Sequence, residues 1–125
     1  MNEATRSFVR DRAGNLCEYC RLSQFDSPLA PLQIEHVIPI KHGGTDGVEN
    51  LALACIDCNL HKGPNLTGID PVTNAITELF RPRSDEWGDH FEWDGSYIRG
   101  KTDKGRTTIR VLAMNSDERL ALRSV

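Results

Sequence analysis

Cysteine occurs four times in the 125-residue chain, and all four fall in two Cys-x-x-Cys pairs, Cys17-Glu18-Tyr19-Cys20 and Cys55-Ile56-Asp57-Cys58. Two tight turns that each present two sulfurs suit a tetrahedral zinc ion, and four thiolates leave it no open position. Zinc held this way folds the chain and does no chemistry. The pairs stand 34 residues apart, farther than in a short zinc ribbon, so the metal would close a whole loop. The competing reading of the same spacing is two thiol redox pairs.

The metal matters because the rest of the chain is modestly apolar. With 38% hydrophobic and 26% charged residues, one domain with a small core is expected. The net charge of −3 argues against a protein that coats nucleic acid through its overall field. Locally, residues 99–110 carry Arg99, Lys101, Lys104, Arg106 and Arg110 against Asp103 alone, which fits a phosphate-contacting face or a solvated one equally well. No basic and apolar leader opens the sequence and no apolar run nears the ~20 residues of a membrane span, so a soluble, cytosolic protein is expected.

Local patterning gives an α+β order. Residues 3–13 lack Gly and Pro, bring Phe8, Val9 and Ala13 to one side and end at Gly14, which predicts an N-terminal helix. After a loop over 22–31, residues 32–37 alternate as a strand, Leu51–Ala54 return antiparallel to it, and 55–62 form a short helix stopped by Gly63-Pro64. Residues 64–82 read as irregular apart from a short strand at 75–80. Asp94-Gly95 predicts a hairpin between 91–93 and 97–99. Thr102 caps a helix over 103–114, although Thr107, Thr108, Ile109 and Val111 also suit a strand. Ser116 starts a last short helix with Leu120 and Leu122 inward. Trp87, Phe91, Trp93 and Tyr97 make a small core near the hairpin or, less simply, stack on bases. Residues 1–66 are thus a zinc-clamped core and 67–125 a hairpin-plus-helix extension packed on it.

Inside the clamp lie Glu35-His36, Pro39, Gly43-Gly44, Asn50-Leu51 and, overlapping the second cysteine pair, Asn59-x-x-Lys62-Gly63. Phosphodiester cleavage needs a base to activate water, a cation to neutralise the phosphate and fixed geometry. Imidazole ordinarily titrates near neutrality, which suits the first task. An amide oxygen is a hard neutral ligand that suits Mg²⁺ or Mn²⁺. Lys62, three residues beyond Asn59 on one helical face, either holds the scissile phosphate or stands exposed.

Taken in order over residues 17–63, these pieces resemble the ββα-metal motif of the HNH endonuclease family, in its zinc-clamped branch and a His-Asn-Asn version. The resemblance implies a DNA endonuclease leaving 5′-phosphate and 3′-hydroxyl ends. By the same resemblance His36 is the general base and Asn50 braces the loop that orients it. Glu35 and Asn59 then hold a catalytic Mg²⁺ or Mn²⁺, while Cys17, Cys20, Cys55 and Cys58 hold structural Zn²⁺. The family more often has Asp or His where Glu35 stands. Neighbours in a regular strand face opposite ways, so Glu35 and His36 share a site only if the strand end twists. His42, His61 and His90 are not expected to be ligands. One site per chain nicks DNA, and duplex cleavage calls for a homodimer or two encounters. The alternative class is a non-catalytic zinc-knuckle module that binds nucleic acid or protein, in which the cysteines matter and His36 and Asn59 do not.

Overall fold

The first helix, α1 (Glu3–Ala13), is set by its two ends. Asn2 accepts a hydrogen bond from the Thr5 amide at its start, and Gly14 takes the left-handed conformation, φ 63°, at its close. The structure, a computed structural model, describes residues 1–124; Val125, the end of the expected extension, lies outside them. Val9 is fully buried, whereas Phe8, expected beside it, is 44% exposed and carries the Arg12 guanidinium over its ring at 5.2 Å. Arg12 in turn donates to the carbonyls of Val48 and Leu51, tying α1 to the start of the second strand.

Strands β1 (Gln33–His36) and β2 (Leu51–Ala54) pair antiparallel, with His36 opposite Leu51 and Gln33 opposite Ala54. Every residue of β2 is buried, which explains a run of four small and branched apolar residues where alternation would mark a half-exposed strand. Helix α2 (Ile56–Lys62) follows at once, and its N-cap is a sulfur: Cys55 Sγ accepts from the Cys58 amide at 3.3 Å. The first pair repeats this turn, with Cys17 Sγ accepting from the Cys20 amide at 3.4 Å. Strand, loop, strand and helix therefore stand as the residue pattern predicts, in an α+β chain.

Beyond α2 the sequence hid more. Strand β4 (Ile76–Glu78) falls inside the expected 75–80 segment, but its partner β3 (Thr67–Ile69) lies in the stretch read as irregular. Its middle residue is Gly68 because a Cβ there would stand 2.5 Å from Val111 Cγ2 on the helix above. A short helix, α3 (Trp87–His90), leads into the hairpin of β5 (Phe91–Asp94) and β6 (Tyr97–Gly100). Asp94 pairs with Tyr97, so the turn is Gly95-Ser96, with Gly95 at φ 63°. Thr102 caps α4 (Asp103–Val111), which ends three residues earlier than expected before Ala113, a non-glycine residue at φ 49°.

The last helix, α5 (Asp117–Arg123), turns inward differently from the pattern. Leu122 is 37% exposed, and the residue fully buried from this helix is Arg119. One apolar cluster joins Val9 of α1, the cysteines, β2, Phe80, Phe91, Ile98, Leu112 and Met114, so residues from both halves of the chain share a core. Of the four aromatics expected as a small core, Phe91 is buried, with its ring 5.2 Å from Phe80 and 5.1 Å from Trp87, whereas Trp93 and Tyr97 are each 48% exposed. Among the described residues no helix is long and apolar enough to cross a membrane.

Candidate active site and metal clamp

The two cysteine turns meet. Cys17, Cys20, Cys55 and Cys58 are all buried, and their sulfurs lie within 4.8 Å of one another. They are free thiols in the structure. Burial pushes the Cys17 and Cys58 thiols well above the ordinary range, while hydrogen bonds from Cys17 hold those of Cys20 and Cys55 down. A divalent cation relieves that conflict, because it favours the thiolate at every position. The donor set fits zinc: four soft sulfurs in two turns, closed to solvent.

The basic run after the hairpin is engaged within the molecule. Arg99 pairs with Asp94 at 2.6 Å, Lys104 with Asp85 at 3.0 Å, and Arg106 holds buried Asp70 through two bonds of 2.8 and 3.0 Å. Lys101 donates to the Gly88 carbonyl. Of its two readings, a phosphate-contacting face loses most of its cations to this internal pairing.

Along β1 side chains alternate, and the alternation separates the two residues expected to act together. Glu35 turns into the protein, 5% exposed, where the Tyr19 hydroxyl donates to Oε1 and Lys62 Nζ lies 3.0 Å from Oε2. Burial raises the Glu35 pKa, and Lys62 and the Tyr19 hydroxyl act against that rise. Tyr19 itself is held well above its usual value, by burial first and then by the carboxylate. Lys62 is 2% exposed and also donates to the carbonyls of His36 and Val37 at 3.1 and 3.0 Å. All three of its hydrogens are therefore engaged. Neither expected role for Lys62, on a phosphate or on an open surface, matches this position; it fastens α2 to the end of β1.

His36 emerges on the other face, half-buried, with Nε2 2.7 Å from Asp46 Oδ1. A carboxylate can only accept, so Nε2 is the donor in this contact, and in the neutral imidazole Nδ1 is then the nitrogen with the lone pair. The His36 bond in turn lowers the Asp46 pKa. Asp46 escaped the sequence reading; its signal was a lone acid in the Gly43-Gly44-Thr45-Asp46 loop. That loop is fixed by Asn50, which is 8% exposed. Its side chain accepts from the Ile38 amide and donates to the carbonyls of Ile38 and Thr45, each at 2.9 Å. Gly44 is required beside it, since a Cβ there would stand 1.7 Å from the Ile38 carbonyl oxygen.

Asn59 donates from Nδ2 to Gln33 Oε1 at 2.6 Å, which leaves its Oδ1 for a ligand. A pocket of about 320 Å³ is lined by Ile34, Glu35, His36, Pro39, Ile40, Asn59, Gly63 and Pro64. The strand end, the Gly-rich loop and α2 thus bring His36 and Asn59 to one concavity, braced by Asn50. Against the divalent ion that the resemblance implies, Asn59 Oδ1 fits. Glu35 lines the same pocket, but its carboxylate is buried and each oxygen already accepts a hydrogen bond, from Tyr19 and from Lys62, so it is turned away from such an ion as placed. Among the described residues the cysteines are the one group of three or more His, Cys, Asp or Glu placed to hold an ion. His42 and His61 are exposed, and His90 Nδ1 lies 2.7 Å from Thr102 Oγ1.

Residues 17–65 match the family described as HNH endonuclease. The Septu protein PtuB of Bacillus thuringiensis is 29% identical over 112 residues, covering 88% of this chain and 40% of that protein. The likeness therefore runs well past the family match, while the chain spans less than half the length of this relative. No solved structure matches the chain. The cysteine clamp, the strand–strand–helix order and the family match all fall on the same residues, so the likeness of this chain to the HNH endonuclease family rests on residues 17–65.

Proposed function

We propose that the protein is a metal-dependent endonuclease that hydrolyses DNA phosphodiester bonds in the pocket shared by His36 and Asn59. The observation that supports this most is the His36–Asp46 hydrogen bond of 2.7 Å at the rim of a braced, polar pocket. With Nε2 donating to Asp46, Nδ1 is free to take a proton from water, and Asp46 stabilises the imidazolium that results. Asn50 keeps the loop carrying Asp46 in register with the strand end carrying His36. Asn59 Oδ1 is the group on this chain that would hold a divalent cation, whose chemistry when bound is to neutralise charge gathering on the phosphate. Zn²⁺ in the cysteine clamp would fix the start of α2, and with it Asn59, beside β1 and β2.

The test is nicking of supercoiled plasmid with Mg²⁺ or Mn²⁺, with EDTA and His36→Ala as controls. Cleavage should need the metal and vanish in His36→Ala while DNA binding persists; unchanged cutting by the variant would sink the reading. A second reading, a zinc-knuckle module that binds nucleic acid without cutting it, draws support from one feature. The Glu35 carboxylate is locked onto Lys62 and Tyr19, so the pocket lacks a free acidic ligand. Binding without metal-dependent nicking, unaffected by His36→Ala or Asn59→Ala, would favour it. A supercoiled, linear and single-stranded DNA series would separate nicking from duplex cleavage, and mass measurement would show whether a homodimer forms.

A further inference from the structure

Arg119 lies outside residues 17–65 and is fully buried, which for a guanidinium demands partners of opposite charge or a complete set of acceptors. Its Nη1 donates to Cys58 Sγ at 2.8 Å. Nη2 donates to the Ala113 carbonyl at 2.6 Å and also to that of Leu112, and Nε lies 3.4 Å from Ser116 Oγ. The nearest carboxylate, Asp57, stands off at 3.9 Å and is itself 44% exposed. The chief anionic partner of this arginine is therefore the sulfur cluster. A zinc ion on four thiolates would carry a net double negative charge, which the buried Arg119 guanidinium would offset directly at Cys58.

We propose that Arg119 is an outer-sphere member of the zinc centre, donating a charge-assisted hydrogen bond to the Cys58 thiolate and so latching the carboxy-terminal segment to the metal. Three features support it. The contact joins residues 61 apart in sequence, bridging the cysteine clamp and the last helix. The same guanidinium grips the carbonyls around Ala113, whose left-handed φ of 49° is a conformation that few side chains adopt without support. Its burial makes no sense for a solvated surface cation, since no water competes for its hydrogens. Donation to sulfur lowers the negative charge left on the thiolate and its readiness to be protonated or to leave the metal. The inference concerns the structural metal and stands whether or not the protein cuts DNA.

The experiment uses the full chain loaded with zinc and follows transfer of zinc to a chromophoric chelator. The variants are Arg119→Met, Arg119→Lys and Arg123→Met. Arg123 sits on the same helix and bonds the carbonyls of Ser96 and Met114, with no bond to sulfur, so it controls for general loosening of α5. Removing an outer-sphere partner typically costs about 10–100-fold in metal affinity. Arg119→Met should release zinc faster by that order, Arg119→Lys by less, and Arg123→Met at the parent rate. With Co²⁺ in place of zinc, the sulfur-to-metal charge-transfer band should move in Arg119→Met and stay in Arg123→Met. Should Arg119→Met not fold, Arg119→Lys against Arg123→Met decides. Parent-like release and an unmoved band in the Arg119 variants overturn the proposal, and so does equal acceleration by Arg123→Met.

Discussion

Replacing Lys62 by methionine keeps most of the aliphatic stem but removes an ammonium that donates to Glu35 Oε2 at 3.0 Å and to two backbone carbonyls at 3.0 and 3.1 Å. The side chains of Lys62 and Glu35 are 3% and 4% exposed, so neither the carboxylate nor the carbonyls can turn to water. Breaking one side of a buried pair usually costs about 3–5 kcal/mol. Burial already raises the Glu35 pKa, and loss of its cation raises it further. A carboxyl whose folded pKa is raised favours the fold when protonated: that contribution is full below the ordinary glutamate value, about 4.3, and is lost as pH rises through the folded one. The deficit of Lys62→Met should therefore be largest near neutrality and shrink as pH falls. Glu35→Gln added to Lys62→Met should recover part of the loss. Urea unfolding at fixed free zinc reads all three variants. A change within about 0.5 kcal/mol in Lys62→Met, together with weakened DNA binding, would refute the buried role and return Lys62 to the phosphate.

Asn50→Ala deletes three hydrogen bonds of 2.9 Å each and should cost about 1–3 kcal/mol, with cleavage falling further than stability because Asp46 leaves His36; equal plasmid nicking at matched folded fraction would contradict this. Asp70 is held well below the usual carboxylate range by its bonds from Arg106. Its stabilisation is therefore present above the unfolded aspartate value and lost as pH falls through the folded one. Asp70→Asn should lower the melting temperature at neutral pH, and the gap to the parent should close in acid; a pH-independent gap would reject the assignment. Stripping the clamp with a strong chelator should abolish cooperative unfolding and release four thiols to a thiol reagent; a chain that keeps its melting transition without metal would show that zinc is dispensable to the fold.

The core of the site was legible because its signals are local. Cysteine spacing, the apolar run of β2 and the Gly63-Pro64 stop each constrain a few adjacent residues, and the structure forms β1, β2 and α2 there. Partners distant in sequence were not legible. Arg119 reads as an ordinary exposed position in a charged helix, and nothing near it in the chain announces Cys58. Lys62 falls on the predicted face of α2, but whether that face meets solvent or the end of β1 depends on tertiary packing. Strand β3 was missed because Thr67-Gly68-Ile69 is only three residues long and has a glycine at its centre; its strand character comes from pairing with β4 and from α4 packed close over Gly68. Glu35 was expected beside His36 on a catalytic metal, which required the strand end to twist; its carboxylate instead meets Tyr19 and Lys62 while His36 meets Asp46, partners that the sequence pattern does not reveal.

The protein's only two tryptophans, Trp87 and Trp93, lie with ring centroids 5.4 Å apart. The Trp87 indole donates to the Tyr19 carbonyl at 2.8 Å, inside the first cysteine turn, and the Arg21 guanidinium lies 5.1 Å from its ring. Intrinsic fluorescence is therefore wired to the state of that turn. Emission intensity and wavelength should report zinc capture and loss in real time, without a label, from a chromophore that does not line the proposed DNA pocket.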